Sequence, residues 1–98
     1  MEPPKGFEVD FATSWKRHAK ALSDEQLSDL AGRLRQLQEA FGQPHRHAGV
    51  GLRKLRGNVY ELRMSRDLRV VFLHLKPNTL RLTMCGNHDD VRRYLKSL

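Results

Sequence analysis

The chain has 98 residues, of which 39% are apolar and 30% charged, with one cysteine and a formal charge of +7. This length allows one domain with one core, residues 1–98, and the apolar share excludes wholesale disorder. A lone Cys85 excludes an internal disulfide and a cysteine-rich zinc site. No apolar run approaches the roughly 18 residues of a membrane span, and no signal-peptide core opens the chain, so a cytoplasmic protein with no membrane partner is expected.

The positive charge is one-sided. Residues 1–50 carry seven Lys/Arg and seven Asp/Glu, whereas residues 51–98 carry eleven against four. A charge serving solubility alone would be spread over both halves. An excess confined to one half is the footprint of a polyanionic partner, with nucleic acid first and an acidic protein segment second.

In chain order, "GFEVDFA" alternates Phe7, Val9 and Phe11 with polar neighbours, the period of a half-buried strand. "TSWKRHAKAL" predicts a short helix with Thr13 or Ser14 as its cap. "SDEQ" is a capping box, Ser23 with Gln26 three residues on, opening a helix whose Leu27, Leu30, Ala31, Leu34 and Leu37 form one apolar stripe. Gly42 and Pro44 predict its end. "QPHRHAGVG" reads as a basic loop; His45 and His47 have no third ligand near them in sequence, so no metal site is expected there.

From residue 52 the period becomes two, predicting strands at 52–56, 58–65, 68–75 and 79–85 with turns at "SRD" and "KPN". "DDVRRYLKSL" predicts a last helix, with Asp89 or Asp90 at its N-terminus where acids suit the dipole. Alternation assigns the faces. Tyr60, Leu62 and Met64 oppose Glu61 and Arg63; Leu68, Val70 and Phe72 oppose Arg69, Val71 and Leu73; Leu80, Leu82 and Met84 oppose Arg81, Thr83 and Cys85. The register is thereby restricted, because a one-residue slip would turn every apolar set outward. A three-residue loop at 65–67 pairs Arg63 with Arg69, and the next hairpin pairs Val70 with Met84 and Phe72 with Leu82, bringing Cys85 beside Arg69. His88 follows just past the strand end. Two directly opposed arginines repel by a few tenths of a kcal/mol or more, so a bound anion or the neighbouring Glu61 is needed to compensate. His74 falls on the apolar side and reads as a partly buried core residue. Val71, Leu73 and Leu75 fall on the charged side, where the last helix or a partner would cover them.

"KLRGNVYELRMSRDLRVVF" followed by "TMCGNHDDVRRYL" resembles the RelE/ParE superfamily of toxins from type II toxin–antitoxin systems. The resemblance implies an α+β fold of an N-terminal strand, a helical hairpin, an antiparallel sheet and a short C-terminal helix. It implies an mRNA endoribonuclease acting on translated mRNA at the ribosome, without metal or other cofactor, and an acidic antitoxin that binds it in a hetero-oligomer. Arg69 matches the arginine that these toxins set against the scissile phosphate, and Arg63 matches a basic position on the preceding strand. His88 stands where YoeB-like and YafQ-like members have a catalytic histidine. Glu61 departs from the strand lysine of RelE and is either a base or a carboxylate that orients Arg63. Arg53, Lys54, Arg56 and Arg81 are expected on the RNA backbone. The aromatic near the start of the last helix is replaced by Arg92, leaving Tyr94 as a substitute, and both are expected on the RNA side. Two other readings of the same pattern are a ParE-like inhibitor of DNA gyrase and a non-catalytic RNA- or protein-binding module.

Overall fold

The computed structural model describes residues 8–40 and 51–98. The expected ends of the second helix at Gly42 and Pro44, and the loop histidines His45 and His47, lie outside the described residues. Strand β1 (Glu8–Phe11) leads into α1 (Trp15–Ala19) and α2 (Asp24–Ala40). Four strands follow, β2 (Leu52–Arg56), β3 (Val59–Ser65), β4 (Leu68–Leu75) and β5 (Thr79–Gly86), and α3 (His88–Lys96) closes the chain. The sheet order is β1-β5-β4-β3-β2; β1 runs parallel to β5, and the other pairs are antiparallel. This is the expected α+β fold, with one parallel pair in an otherwise antiparallel sheet. None of the described helices is long and apolar enough to cross a membrane.

The sheet separates two cores, and this division positions the site. On one face Leu62, Met64, Val70, Phe72, Leu80, Leu82 and Cys85 pack with Trp15 of α1 and with Leu30 and Leu37 of α2. On the other, Val59, Val71 and Met84 pack with Val91 of α3, and Leu73, Tyr94 and Leu95 join at the margin. The C-terminal helix therefore covers Val71 and Leu73.

The capping box at α2 forms in both directions: the Ser23 amide donates to Gln26 Oε1 at 2.8 Å, and the Gln26 amide donates to Ser23 Oγ at 3.1 Å. The cap expected at α1 does not form. Ser14 occupies the cap position, but its hydroxyl donates to the Thr83 carbonyl at 2.9 Å. The stripe on α2 is half right, since Leu30 and Leu37 are buried and Leu34 half-buried while Leu27 and Ala31 are exposed.

The β4–β5 register departs from strict alternation. Phe72 pairs with Leu82 as expected, but Val71 pairs with Met84 and Val70 with Cys85, leaving Thr83 as an extra residue in β5. The expected Val70–Met84 and Arg69–Cys85 pairs are thus corrected by a β-bulge, which exchanges the faces of Met84 and Cys85. The bulge leaves Thr83 without a partner residue in the ladder, and both of its oxygens find partners elsewhere. Its carbonyl accepts from Ser14, and its buried hydroxyl donates to the Val71 carbonyl at 3.1 Å. These bonds offset the cost of taking both oxygens out of water.

Leu37 is fully buried and Leu27 is 38% exposed on the same helix. Leu37→Ala is expected to lower the unfolding free energy in urea by about 2–5 kcal/mol. Leu27→Ala, which opens no cavity, should change it by less than about 1 kcal/mol in the same titration.

Candidate active site

Arg63 of β3 and Arg69 of β4 are direct cross-strand partners, as expected, and Gly86 of β5 stands opposite Arg69 on its other side. The three form one row across the sheet on the α3 face. The turn that sets this row is tighter than expected. Ser65 joins the ladder opposite Leu68, a bulge at Met64 absorbs the extra residue, and only Arg66 and Asp67 form the turn.

Arg63 is exposed, but its backbone is fixed from two sides. Its amide donates to the Gly51 carbonyl at 2.9 Å, and its carbonyl accepts from the Arg33 guanidinium of α2 at 3.0 Å. Gly51 sits at φ +79°, and a Cβ there would meet the Arg63 carbonyl oxygen at 3.0 Å. Glycine is the residue that adopts this backbone without strain. Neither Arg33 nor Gly51 was expected at the site. The contacts join segments 30 and 12 positions apart in sequence, and no local pattern reports them.

Glu61 is buried, 6% exposed. Its Oε2 lies 3.4 Å from Arg69 Nε, and both side chains are largely enclosed. The carboxylate therefore pairs with Arg69, correcting the expected orientation of Arg63. The pairing satisfies charge but not hydrogen-bond direction, because Arg69 Nε is buried and makes no hydrogen bond.

The bend from β5 into α3 carries His88. Asn87 caps the helix: its side chain accepts from the Asp90 amide at 2.9 Å, and Asp90 Oδ2 accepts from the Asn87 amide at 2.9 Å. Asp90 also pairs with Arg93. Any Cβ at position 86 would lie 2.6 Å from Asp90 Oδ2, so glycine there is what lets the capping box close. His88 is the first helical residue and is exposed, two positions beyond the residue that faces Arg69. Cys85, next to Gly86, donates its thiol to the His18 carbonyl at 3.7 Å. Burial, and then the charge of Asp90, pushes its ionisation above the ordinary thiol range, so it is a packing residue with little thiolate character at neutral pH.

The outer cations divide. Arg53 is exposed and pairs with Glu61, which puts it on the same face as Arg63 and Arg69. Lys54 pairs with Tyr60 and belongs to the opposite face. Arg56 donates to the Leu95 carbonyl at 2.9 Å and ties β2 to the end of α3. Arg81 shares the α3 face but stands opposite Leu73, four residues along β4 from Arg69, or about 13 Å at strand rise. There it makes a two-point pair with Asp10 of β1, at 2.9 and 3.0 Å, so its charge is already matched by a carboxylate. Arg92 is exposed on α3, while Tyr94 packs half-buried against the smaller core, its ring used there for packing. His74 is half-buried.

No protein-family model matches the sequence, and no curated protein sequence matches it. Solved structures do match in fold. An archaeal RelE from a RelE–RelB complex of Pyrococcus horikoshii superposes with a TM-score of 0.65 at 14% identity, over 84% of this chain and 94% of that one. A YoeB/ParE toxin from Agrobacterium tumefaciens gives 0.62 at 16%, over 84% and 99%. Escherichia coli YafQ gives 0.59 at 12%, over 87% and 97%.

Two outcomes test this geometry. Removing one partner of an enclosed ion pair strands the other charge, so Arg69→Ala should lower the unfolding free energy by about 3–5 kcal/mol in urea, and adding Glu61→Gln should recover most of that loss. The hydrogen bonds from Arg81, with its charge, hold the Asp10 carboxyl below the usual carboxylate range. A depressed carboxyl stabilises the fold above its unfolded value and stops doing so as pH falls through its folded value. The stability gap between wild type and Asp10→Asn should therefore be present at pH 7 and close on acidification below about pH 4, the ordinary carboxylate value. The chain has the fold of the RelE, YafQ and YoeB/ParE toxins.

Proposed function

We propose that this protein is the toxin of a type II toxin–antitoxin system and that it cleaves mRNA without a metal, acting on translated message and held in check by an acidic antitoxin. The observation that carries the reading is the Arg63–Arg69 pair, two guanidiniums opposed in one ladder with Gly86 completing the row and His88 two residues beyond. Like charges placed face to face are unfavourable by themselves and become favourable around an anion. The likeness in fold to RelE, YafQ and YoeB/ParE toxins supports it, as do the RelE–RelB and DinJ–YafQ complexes among those structures.

In this mechanism the substrate's 2′-hydroxyl attacks the adjacent phosphorus, and the bond to the 5′-oxygen breaks. The products are a 2′,3′-cyclic phosphate and a free 5′-hydroxyl. The arginine fork matches two phosphate oxygens at once and keeps its charge throughout. Arg63 and Arg69 thus stabilise the charge that builds on the pentavalent phosphorane. His88 moves a proton at one of the two reacting oxygens, a step an imidazole can perform in either direction, and solvent water serves the other. Arg53 and Arg92 extend the positive surface along the RNA backbone.

A binding module without catalysis is the second reading, favoured by the packing of Tyr94 into the small core, which leaves Arg92 where a stacking aromatic is expected. A ParE-like gyrase inhibitor is the third, and one neighbour bears the YoeB/ParE name.

Induced expression followed by mapping of RNA 5′ ends separates the three. The nuclease reading predicts new ends inside translated codons that vanish with His88→Ala and with Arg69→Lys, each lowering the cleavage rate by about 100-fold or more. Growth arrest with intact mRNA and blocked gyrase would establish the ParE reading. An unchanged transcriptome without arrest would leave the binding module.

A further inference from the structure

We infer that Glu61 is a positioning residue: its buried carboxylate holds the Arg69 guanidinium in place for the phosphate and takes no proton from the substrate. The catalytic consequence rests on the nuclease reading; the hold on Arg69 does not.

The register makes Glu61 a carboxylate among arginines. Arg53 stands opposite it on β2, Arg63 lies two residues along on its own strand, and Arg69 lies on the diagonal, two residues from its β4 partner Val71. Arg53 and Arg63 are exposed and have solvent to balance them, while Arg69 is the enclosed one, and it is Arg69 that Glu61 meets. A charge removed from water needs an opposite charge beside it, which a neutral glutamine would not supply.

The contact is made at Nε, the inner nitrogen of the fork. No hydrogen bond to either outer nitrogen of Arg69 is formed among the described residues. Nε makes no hydrogen bond, so the carboxylate holds the guanidinium by charge from its inner edge and leaves the outer pair to grip two phosphate oxygens. A general base must come within about 3 Å of the hydroxyl it deprotonates. Glu61, 6% exposed beneath the arginines, is poorly placed for that.

The test is a double-mutant cycle of Glu61→Gln and Arg69→Lys, read by single-turnover cleavage and by binding of an RNA whose reactive 2′-hydroxyl is replaced by hydrogen. Glu61→Gln should slow cleavage at saturating RNA by about tenfold or more, while affinity for the uncleavable RNA moves less than about threefold. The pH–rate profile should keep its shape. In the Arg69→Lys background, Glu61→Gln should slow cleavage by less than about twofold further, because the two act as a unit. Loss of the acid limb of the profile, or fully additive losses, would overturn the inference. A second readout is independent of activity: the Arg69 Nε–Hε resonance should be sharp and slow to exchange in the wild-type protein and broadened in Glu61→Gln, and identical spectra would refute the hold. Wild-type protein that cuts no RNA sinks the nuclease reading, and this resonance still decides the role of Glu61. If Glu61→Gln does not fold, Glu61→Asp keeps the charge but withdraws it by one methylene, and the same slowing with an unchanged pH profile is expected.

Discussion

A carboxylate enclosed in a small protein calls for a cation, hydrogen-bond donors or a proton, and at the centre of this sheet a cation answers it. Glu61 is buried on β3 and Arg69 on β4 answers it at 3.4 Å. The pair sits where a third charge, Arg63, is forced by the ladder to face Arg69 directly. Enclosing an ion pair is rarely a route to stability, since an apolar pair of the same volume often serves as well or better. Here it stands beside the row in which Arg63 faces Arg69.

What sets this row lies partly in the turn between its two arginines and partly elsewhere in the chain. The bulge at Met64 and the short turn at Arg66 and Asp67 fix which residues of β3 and β4 oppose each other. Gly51 and Arg33 hold the backbone of Arg63 from either side. Gly86 brings the cap of α3 hard against the end of β5, so that His88 begins a helix two residues past the row. Meanwhile α3 lays Val91 over Val71 and Met84, and this smaller core supports the floor beneath the charged residues. The charged row thus depends on scaffold residues that carry no chemistry themselves.

Much of the architecture was legible in the sequence because strands declare their faces. The period-two runs placed β2 to β5 within a residue, and the Arg63–Arg69 pair followed from them. The alternation failed at Thr83 for a specific reason: Met84 and Cys85 are both apolar, so exchanging their faces leaves the hydrophobic pattern unchanged. The bulge is stabilised by Ser14, 69 positions away, which no local window can detect. The stripe on α2 misled for a related reason, since periodicity gives a helix's apolar side but not how far along it the core extends. At the site, residue types pointed to arginines and a histidine, yet the choice of Glu61 for Arg69 over Arg63 depends on a diagonal contact. The diversion of Arg81 to Asp10 depends on β1 lying beside β5, an edge placement that alternation does not encode.

The most direct measurement is a structure of the protein bound to an RNA that lacks the reactive 2′-hydroxyl, on the ribosome if binding requires it. One phosphate is expected within hydrogen-bond reach of both Arg63 and Arg69, with the His88 imidazole against one of its reacting oxygens and Glu61 still on Arg69 Nε. An RNA seated on the α2 face, or a phosphate touching neither arginine, would contradict it.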